Sequence, residues 1–504
     1  MKKKALLLFI LRILKMGLGV LNLSISAKYF GVSIDRDEWI LALNFILVLD
    51  MAIWGPINET FRAKFVFLKH EIGDDASIAK VRSMFSFINF ITIILVVIIL
   101  IYPKLLTSII APRYTEYQLA HLTTMILILT PSFLFNQICQ FLTSILNAYS
   151  TFYIPEIAGL FTAVINIILI ILLAPKFGIY ALAFGYYLGI IMLQILLILQ
   201  LRKLKINIIG NPFKFNYIDV KPFLLFAAPF FLPYFLGQVS MVIEKSIAST
   251  LSIGTVSMID YSRKFSEIAI SVLTSIFTTM LLPVLSQYYA QKNNERFLFE
   301  FKSIYQIGFL IITFLVAIFT ACPGAVINIL YNKGSITTIA LNKISNLSML
   351  YSWAAFPIFM YIILGVVLLS SEKGKIYALY GSIAQIIMIL FNLLLSKTLG
   401  VYTFPLSLLF SHLIVAWFLF MKFPIKTNQL LINTVKGLGQ VIICSSILYF
   451  INKNLSMLNS YNPIVIIDFN LLLISIFILS YAYVVKTDDR RMIVKMISKI
   501  KEAI

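Results

Sequence analysis

Apolar runs of about twenty residues recur along nearly the whole chain, and this pattern constrains the fold more than any other feature. An α-helix of about twenty residues crosses the roughly 30 Å of hydrocarbon in a bilayer. The composition agrees, because 60% of the residues are hydrophobic, only 12% are charged and the mean hydropathy is +0.96. Soluble domains do not have such a composition. We therefore predict an all-α, polytopic membrane protein.

The apolar runs and the breaks between them predict about fourteen transmembrane helices. The predicted spans are residues 5–27, 38–57, 84–102, 120–146, 154–173, 179–200, 223–243, 266–289, 304–330, 347–370, 376–396, 402–421, 435–452 and 464–485. The longest polar intervals, around residues 58–83 and 201–221, are predicted to be loops. They leave no room for a soluble catalytic domain.

The formal net charge of +20 comes from lysines and arginines that cluster between the apolar runs. Such clusters are typical of cytoplasmic loops, so we interpret them as topology signals and expect no nucleic-acid partner. The cytoplasmic clusters are Lys2 to Lys4, residues 58–83, residues 201–221 and the tail that contains Lys486, Arg490, Arg491, Lys495, Lys499 and Lys501. The interval from Lys28 to Glu38 and the one near Lys176 are predicted to be external. Both termini are therefore expected in the cytoplasm of a bacterial cell, with the chain in its inner membrane.

Weak internal similarity suggests two related halves. The matched positions are Pro131 with Pro357, Asn166 with Asn392, and Gly178 with Gly400. Many transporters are built from such repeats. We predict an N-lobe of six helices at 1–205, a C-lobe of six helices at 215–425, and two extra helices with a basic cytoplasmic tail at 426–504.

Charged residues inside the first predicted helix are informative, because a charge at the centre of a membrane helix costs about 2.5–3.5 kcal/mol on insertion scales. Arg12, Lys15 and Asn22 recur with Gly19 and Ser26 at spacings of three or four, which places them on one helix face. This stripe predicts a cavity lining that contacts substrate. Alternatively, Arg12 and Lys15 extend to the cytoplasmic headgroups.

Asp50 lies deep in the second predicted helix, where it needs a partner, a bound cation or a proton. We predict that it couples transport to an ion, either Na⁺ or H⁺. A structural salt bridge to Arg12 or Lys15 is the competing interpretation.

The seventh predicted helix contains Pro229 and Pro233, which can break helical hydrogen bonding, followed by Gln238 and the pair Glu244-Lys245. A broken helix exposes backbone groups that a cavity or neighbouring protein must satisfy. We assign Gln238 and Lys245 to substrate binding and Glu244 to ion coupling. A kinked packing helix is the alternative.

Arg263 and Lys264 open the eighth predicted helix, beside Glu267. Two cations facing a water-filled cavity would suit a pyrophosphate headgroup, so we assign both to substrate binding. Ordinary anchoring at the membrane interface would also explain them.

Motifs for catalysis or metal binding are absent from the sequence. Cys139, Cys322 and Cys444 have no CxxC spacing, and neither they nor the three histidines suggest a metal site. There is no GxSxG, Walker-type loop or HExxH motif. We therefore predict a transporter rather than an enzyme, without a cofactor other than a coupling ion, and expect a monomer.

Four stretches together resemble one transporter family. They are Tyr29 to Ser33 with Asp37, Leu146 to Ala148 with Phe152 and Pro155, Pro229 to Ser249, and Tyr261 to Ser286. This combination resembles the lipid II flippase (MurJ/MviN) family of the multidrug/oligosaccharidyl-lipid/polysaccharide (MOP) superfamily. The resemblance implies fourteen helices, a cationic central cavity between two lobes, and alternating access that moves a lipid-linked headgroup for peptidoglycan or polysaccharide biosynthesis.

Departures from that family bear on the substrate. Asn22-Leu23 replaces an arginine followed by an acid, and Asp50 replaces a cavity arginine, whereas Lys264 matches a family arginine in charge. The expected substrate is therefore a polyprenyl-pyrophosphate-linked glycan, either lipid II or the repeat unit of a surface polysaccharide. The alternatives are a cation-coupled multidrug antiporter of the same superfamily, a membrane glycosyltransferase, and an inactive scaffold.

Overall fold

A computed structural model describes residues 2–149, 151–208, 211–277, 281–332, 334–425, 428–454 and 462–484. Within these ranges the ordered elements are all helices, without a strand, which confirms the all-α prediction. Helices suit this apolar chain because each one satisfies its own backbone hydrogen bonds in hydrocarbon. The basic tail that begins at Lys486 lies outside the described residues.

Every predicted span overlaps one helix or two consecutive helices of the structure. Among the described residues, 11 stretches are long and apolar enough to cross a membrane. Three of them contain two α-helices each, namely Glu116–Ala148, Tyr217–Ser249 and Gly374–Met421. The chain is thus a multi-pass membrane protein. The total of fourteen spans stays a prediction.

The chain forms two compact units. The first comprises Met1–Ser257 with Lys333–Ile336, and the second comprises Met258–Asn332 with Thr337–Ile504. The lobe limits predicted from the repeat, 1–205 and 215–425, stay a prediction.

The first unit contains ten α-helices in its described part. They are α1 (Lys2–Phe30), α2 (Ile34–Ile72), α3 (Asp74–Ile101), α4 (Pro103–Ile110), α5 (Glu116–Leu129), α6 (Ser132–Ala148), α7 (Tyr153–Phe177), α8 (Tyr180–Lys203), α9 (Tyr217–Ala227) and α10 (Phe231–Ser249). Its interior includes a cluster of phenylalanines. The ring of Phe61 on α2 lies 4.6 Å from that of Phe141 on α6 and 5.3 Å from that of Phe223 on α9, measured between centroids.

Most of the remaining helices belong to the second unit, although the first residues of α11 belong to the first. They are α11 (Thr255–Ile276), α12 (Leu282–Ala290), α13 (Asn294–Ala321), α14 (Pro323–Tyr331), α15 (Thr338–Ser370), α16 (Gly374–Leu399), α17 (Thr403–Met421), α18 (Asn428–Asn454) and α19 (Pro463–Val484). Tyr305 on α13 packs against Phe309, 4.9 Å away, and against Phe359 of α15, 5.9 Å away between ring centroids. Leu394, 73% exposed, is one of many apolar side chains on the outer surface, which suits a lipid solvent.

The polar interval at 58–83 is largely helical, so the prediction of a loop there was wrong. Helix α2 continues to Ile72 and α3 begins at Asp74, with only Gly73 between them at φ 85°. Lysine, arginine and glutamate are good helix formers, so the helix continues beyond the apolar run until a residue with positive φ ends it.

The predicted break in the seventh span occurs at Pro229 alone. A 3₁₀ turn, Ala228–Phe230, separates α9 from α10 at this proline. Pro233 lies in the first turn of α10. Backbone N–H groups in a first turn have no acceptor within the helix, so the N–H that proline lacks costs no helical hydrogen bond.

Candidate functional site

The candidate residues divide between the two units. The first unit holds Arg12, Lys15, Asn22, Asp50, Gln238, Glu244 and Lys245, and the second holds Arg263 and Lys264. Each group is described within its own unit.

Arg12 and Lys15 share one carboxylate. Glu156, in the first turn of α7, lies 3.1 Å from Arg12 Nε and 3.5 Å from Lys15 Nζ, measured from its two oxygens. The side chains of Arg12 and Lys15 are 37% and 50% exposed. The sequence interpretation that paired these cations with Asp50 is wrong, since Glu156 takes that role.

Asn22 and Gln238 are both half-buried, on α1 and α10. The Oδ1 atom of Asn22 is buried without a hydrogen-bond partner among the described residues. It is therefore an acceptor available to a ligand donor. Among the described residues, neither side chain forms a hydrogen bond with Lys245.

Lys245 is the most unusual of the candidates. It is only 7% exposed, and among the described residues it has neither an ion-pair partner nor a hydrogen bond. It lies at a narrow cleft bounded by α2, the end of α4, and α10. The lining consists of Leu41, Asn44, Phe45, Val48, Ile110, Met241, Val242 and Lys245. A cation in so apolar a setting is costly unless an anion compensates it.

Glu244 precedes Lys245 on α10 and is 2% exposed. Successive residues on a helix lie about 100° apart around the axis, so the two side chains leave α10 in different directions. The pair that the sequence singled out is therefore not one contact site.

Asp50 lies on the face of α2 opposite the Lys245 cleft and is 1% exposed. Its Oδ2 atom accepts a hydrogen bond of 2.5 Å from Gln140 Nε2 on α6. Asn58, two turns further along α2, donates to the side-chain oxygens of Gln140 at 3.1 Å and Gln137 at 3.3 Å. Sequence analysis missed both glutamines, although their spacing of three within an apolar run was a visible signal.

A second cluster that the sequence analysis missed joins α2 to α5. His121 Nδ1 forms a short contact with Glu38 Oε2, and His121 Nε2 lies 3.3 Å from the hydroxyl of Tyr180. Asp35, Glu38 and His121 each offer an atom that could ligate a metal, all within 4.8 Å of one another. Because Glu38 and His121 already satisfy each other, a hydrogen-bonded pair accounts for the arrangement.

Asp37, on α2, forms hydrogen bonds with the segment at the start of α11. Its carboxylate accepts hydrogen bonds of 2.7 Å from the backbone N–H groups of Gly254 and Ser257, and one of 2.5 Å from the Ser257 hydroxyl. This carboxylate is 1% exposed. Asp37, the acid in the first of the four stretches that resemble the family, therefore forms structural hydrogen bonds.

In the second unit, Arg263 lies against Tyr351 of α15. Its guanidinium carbon is 5.1 Å from the centre of the tyrosine ring, and Nη2 is 3.4 Å from the hydroxyl. Lys264 is 3.7 Å from Glu267 one turn further along α11. Both cations are half-buried.

Long apolar helices, together with charged side chains held inside them, define the class as a multi-pass membrane protein. The model of one family, the lipid II flippase MurJ, matches residues 26–468. The chain belongs to that family, within the MOP superfamily.

Solved structures share the fold at low sequence identity. A lipid II flippase MurJ in an inward closed conformation is 18% identical, with a TM-score of 0.80 over 96% of this chain and 100% of that one. An inward-facing multidrug resistance MATE transporter of the MOP superfamily is 16% identical, with a TM-score of 0.66 over 82% of this chain and 97% of that one. A MOP superfamily transporter from Pyrococcus furiosus is 14% identical, with a TM-score of 0.60 over 83% of this chain and 94% of that one. No curated protein matches the chain.

Proposed function

We propose that this protein is a flippase that carries a polyprenyl-pyrophosphate-linked glycan across the inner membrane by alternating access. Membership of the lipid II flippase family supports the class of substrate. The observation that carries the proposal is Lys245, a buried cation without an anionic partner among the described residues.

The electrostatics of the Lys245 cleft favour an anionic ligand. The cleft has a free volume of only about 10 Å³ in this structure, so it must widen before a pyrophosphate can reach the lysine. The pyrophosphate would then compensate the lysine, and the low local dielectric would strengthen their attraction. Asn44 is the other polar residue of the lining, and its Nδ2 atom donates to the carbonyl of Ile40 at 2.8 Å. The remaining lining is apolar, which suits the part of the substrate next to the lipid tail.

The other cations form additional contacts with the headgroup in this proposal. Within the first unit, Arg12 and Lys15 are assigned to headgroup binding together with the amides Asn22 and Gln238. Within the second unit, Arg263 and Lys264 are assigned to substrate binding. Glu156 keeps Arg12 and Lys15 close together, so that a phosphate could replace the carboxylate.

Ion coupling and topology complete the proposal. Asp50 and Glu244 are acids buried in apolar helices, and we assign them to coupling with Na⁺ or H⁺. Both termini lie in the cytoplasm, and the protein acts as a monomer. A multidrug antiporter remains the competing function because MATE transporters share the fold. An organic cation, however, would be repelled by Lys245.

Complementation tests the proposal. The chain is expressed in bacteria depleted of their own lipid II flippase, its insertion in the membrane is verified, and growth is scored with the exposure of lipid II at the outer leaflet. We expect rescue by the wild type and by Lys176→Gln, an exposed control, but not by Lys245→Gln.

Failure of a well-inserted wild type would exclude lipid II. A polysaccharide repeat unit on the same lipid carrier would then be tested in a strain that lacks its flippase. Failure with both glycans, together with export of organic cations, would overturn the proposed function.

A further inference from the structure

An open cavity lies at the end of α8, built from residues that have no part in the proposed glycan site. Its volume is about 500 Å³, and its lining includes two cations, Arg202 and Lys205. The rest of the lining is Ile198, Leu201, Ile206, Asn207 and Ile208. Binding sites for small molecules commonly measure about 300–1,000 Å³. We call this cavity the basic pocket, and it is large enough for the headgroup of a lipid.

The end of α8 forms one wall of the basic pocket. The N–H of Ile206 donates to the carbonyl of Leu201, and the N–H of Lys205 donates to that of Arg202, both at 3.0 Å. This pair of hydrogen bonds is the Schellman motif that commonly ends a helix. Lys205 therefore has a left-handed backbone, with φ 58°, at a position that glycine usually occupies. The turn reverses the chain, so that both cations line one cavity.

Arg82, on α3, holds the segment that forms the other wall. Its Nη2 atom donates a hydrogen bond of 2.7 Å to the carbonyl of Asn207. This bond ties the chain after α8 to α3. Asn207 is exposed and lines the pocket, so its side-chain amide offers a neutral donor and a neutral acceptor to a ligand.

The charge of the basic pocket is uncompensated by protein in the described part of the chain. Neither Arg202 nor Lys205 forms an ion pair there, and Asp219, an acid of the segment that follows, is paired with Lys80 at 3.0 Å. Arginine binds phosphate through parallel N–H groups, and lysine binds it as a point charge. The pocket therefore favours a phosphate group.

A stripe of exposed apolar side chains on α8 leads to the basic pocket. It contains Leu188, Ile191, Ile195 and Leu199, at spacings of three or four that continue to Arg202. These four side chains are between 37% and 53% exposed. One leaflet contributes about 15 Å of hydrocarbon, which corresponds to about ten residues of helix. A ligand with its phosphate at Arg202 would thus extend an acyl chain along this apolar stripe.

We propose that the basic pocket binds the headgroup of an anionic phospholipid, with Arg202 and Lys205 on the phosphate and the acyl chains along the apolar stripe. Asn207 forms hydrogen bonds with the hydroxyl groups of the headgroup. The predicted topology places this end of α8 at the cytoplasmic leaflet, whose anionic lipids attract lysine and arginine near the membrane surface. The inference goes beyond the proposed function and does not depend on the glycan.

Lipid binding to the purified full-length protein tests the site without any transport step. Native mass spectrometry in detergent measures apparent Kd values for phosphatidylglycerol and for phosphatidylcholine with the same acyl chains. The variants are Lys205→Gly, Arg202→Gln and the double variant, and the control is Lys292→Gly.

Lys292 is a close match to Lys205. It is exposed, follows α12 with φ 54°, and ends that helix with the same pair of backbone hydrogen bonds. Lys205→Gly and Lys292→Gly therefore remove the same charge from the same kind of turn, and glycine suits both turns.

We expect the wild type and Lys292→Gly to bind phosphatidylglycerol at least fivefold more tightly than phosphatidylcholine. Lys205→Gly and Arg202→Gln should each weaken phosphatidylglycerol binding at least threefold, and the double variant should lose the preference. The unfolding midpoint of Lys205→Gly should equal or exceed that of the wild type, because glycine adopts the left-handed backbone more readily. Lost binding would then not arise from unfolding.

Three results would overturn the site. Equal weakening by Lys205→Gly and Lys292→Gly would show an effect of net charge alone. Displacement of phosphatidylglycerol by millimolar glycerol 3-phosphate would show that a free phosphate suffices without acyl chains. Tighter binding of a polyprenyl pyrophosphate than of phosphatidylglycerol, lost in Lys205→Gly, would assign the pocket to the substrate instead of a phospholipid.

Discussion

At the scale of single residues, the charges inside the first unit differ in how they are compensated. Arg12 and Lys15 share Glu156, whereas Lys245 has no anion among the described residues. Burying a charged side chain without a counter-charge costs free energy. Such a residue is expected where a bound ligand supplies the opposite charge. Substrate binding by Lys245 is the proposal that follows from this difference.

Neutralising Lys245 should stabilise the protein in the absence of substrate. Lys245→Gln removes a buried charge without a partner, so we expect the free energy of unfolding to rise by about 1–3 kcal/mol. Binding of a polyprenyl-pyrophosphate glycan should weaken at least tenfold. Thermal unfolding in detergent and native mass spectrometry with the lipid measure the two effects, with Lys176→Gln as the control. Lower stability with unchanged lipid binding would mean that Lys245 only supports packing.

The triad of Arg12, Lys15 and Glu156 should contribute little to stability. Arg12 and Lys15 are 37% and 50% exposed, and in the predicted water-filled cavity solvent would screen both pairs. A double-mutant cycle with Arg12→Gln and Glu156→Gln should give a coupling energy of about 0.2–1 kcal/mol. A coupling energy well above this range would show that the triad is a strong structural lock, and a phosphate could not readily replace the carboxylate.

The sequence identified the charges inside the helices but not their partners. Asp50 stood out because it interrupts an apolar run, whereas Gln140 is 90 positions away and Glu156 is 144 from Arg12. Hydropathy reports the cost of burying a charge, and the fold alone determines which side chain compensates it. His121 escaped notice for the same reason, because its partner Glu38 belongs to another helix.

At the scale of elements, corresponding helices support the predicted repeat. Helices α3 and α13 both have 28 residues, and each is followed by a short helix that begins with proline. The turns after α7 and α16 match as well, since Gly178 has φ 54° and ψ −136° and Gly400 has φ 57° and ψ −135°.

Alanine at either glycine should destabilise the turn. These backbone angles are open almost only to glycine, so Gly178→Ala and Gly400→Ala should each cost about 1–3 kcal/mol of stability. Gly17→Ala, on α1 where a methyl group would meet no atom within 4 Å, is the control and should be neutral or slightly stabilising. Thermal unfolding of the three variants checks the prediction, and equal shifts would contradict it.

Helix positions followed closely from the sequence, while helix ends did not. An apolar run marks the part of a helix in hydrocarbon, so the spans were found at nearly the right residues. The run does not report how far a helix continues into water, as α2 shows by extending to Ile72. The break at Thr130 and Pro131, between α5 and α6, also lay within a single predicted span.

At the scale of the whole molecule, the charge pattern predicts the topology, and cysteine labelling can test it. Burial shields the three native cysteines, so background labelling should be low. A cysteine at Lys28 or Lys176 should react with a membrane-impermeant maleimide in intact cells. One at Lys203 should react only after lysis. The reverse pattern would contradict cytoplasmic termini.

Translocation in proteoliposomes tests the central claim most directly. Purified protein is reconstituted with a fluorescent polyprenyl-pyrophosphate glycan in both leaflets, and a membrane-impermeant quencher of the glycan label reports how fast inner-leaflet glycan reaches the outer surface. We predict rapid transfer by the wild type and by Lys176→Gln, and transfer at least tenfold slower by Lys245→Gln. Equal rates for the wild type and Lys245→Gln, or no transfer by a correctly folded wild type with any such glycan, would contradict the account.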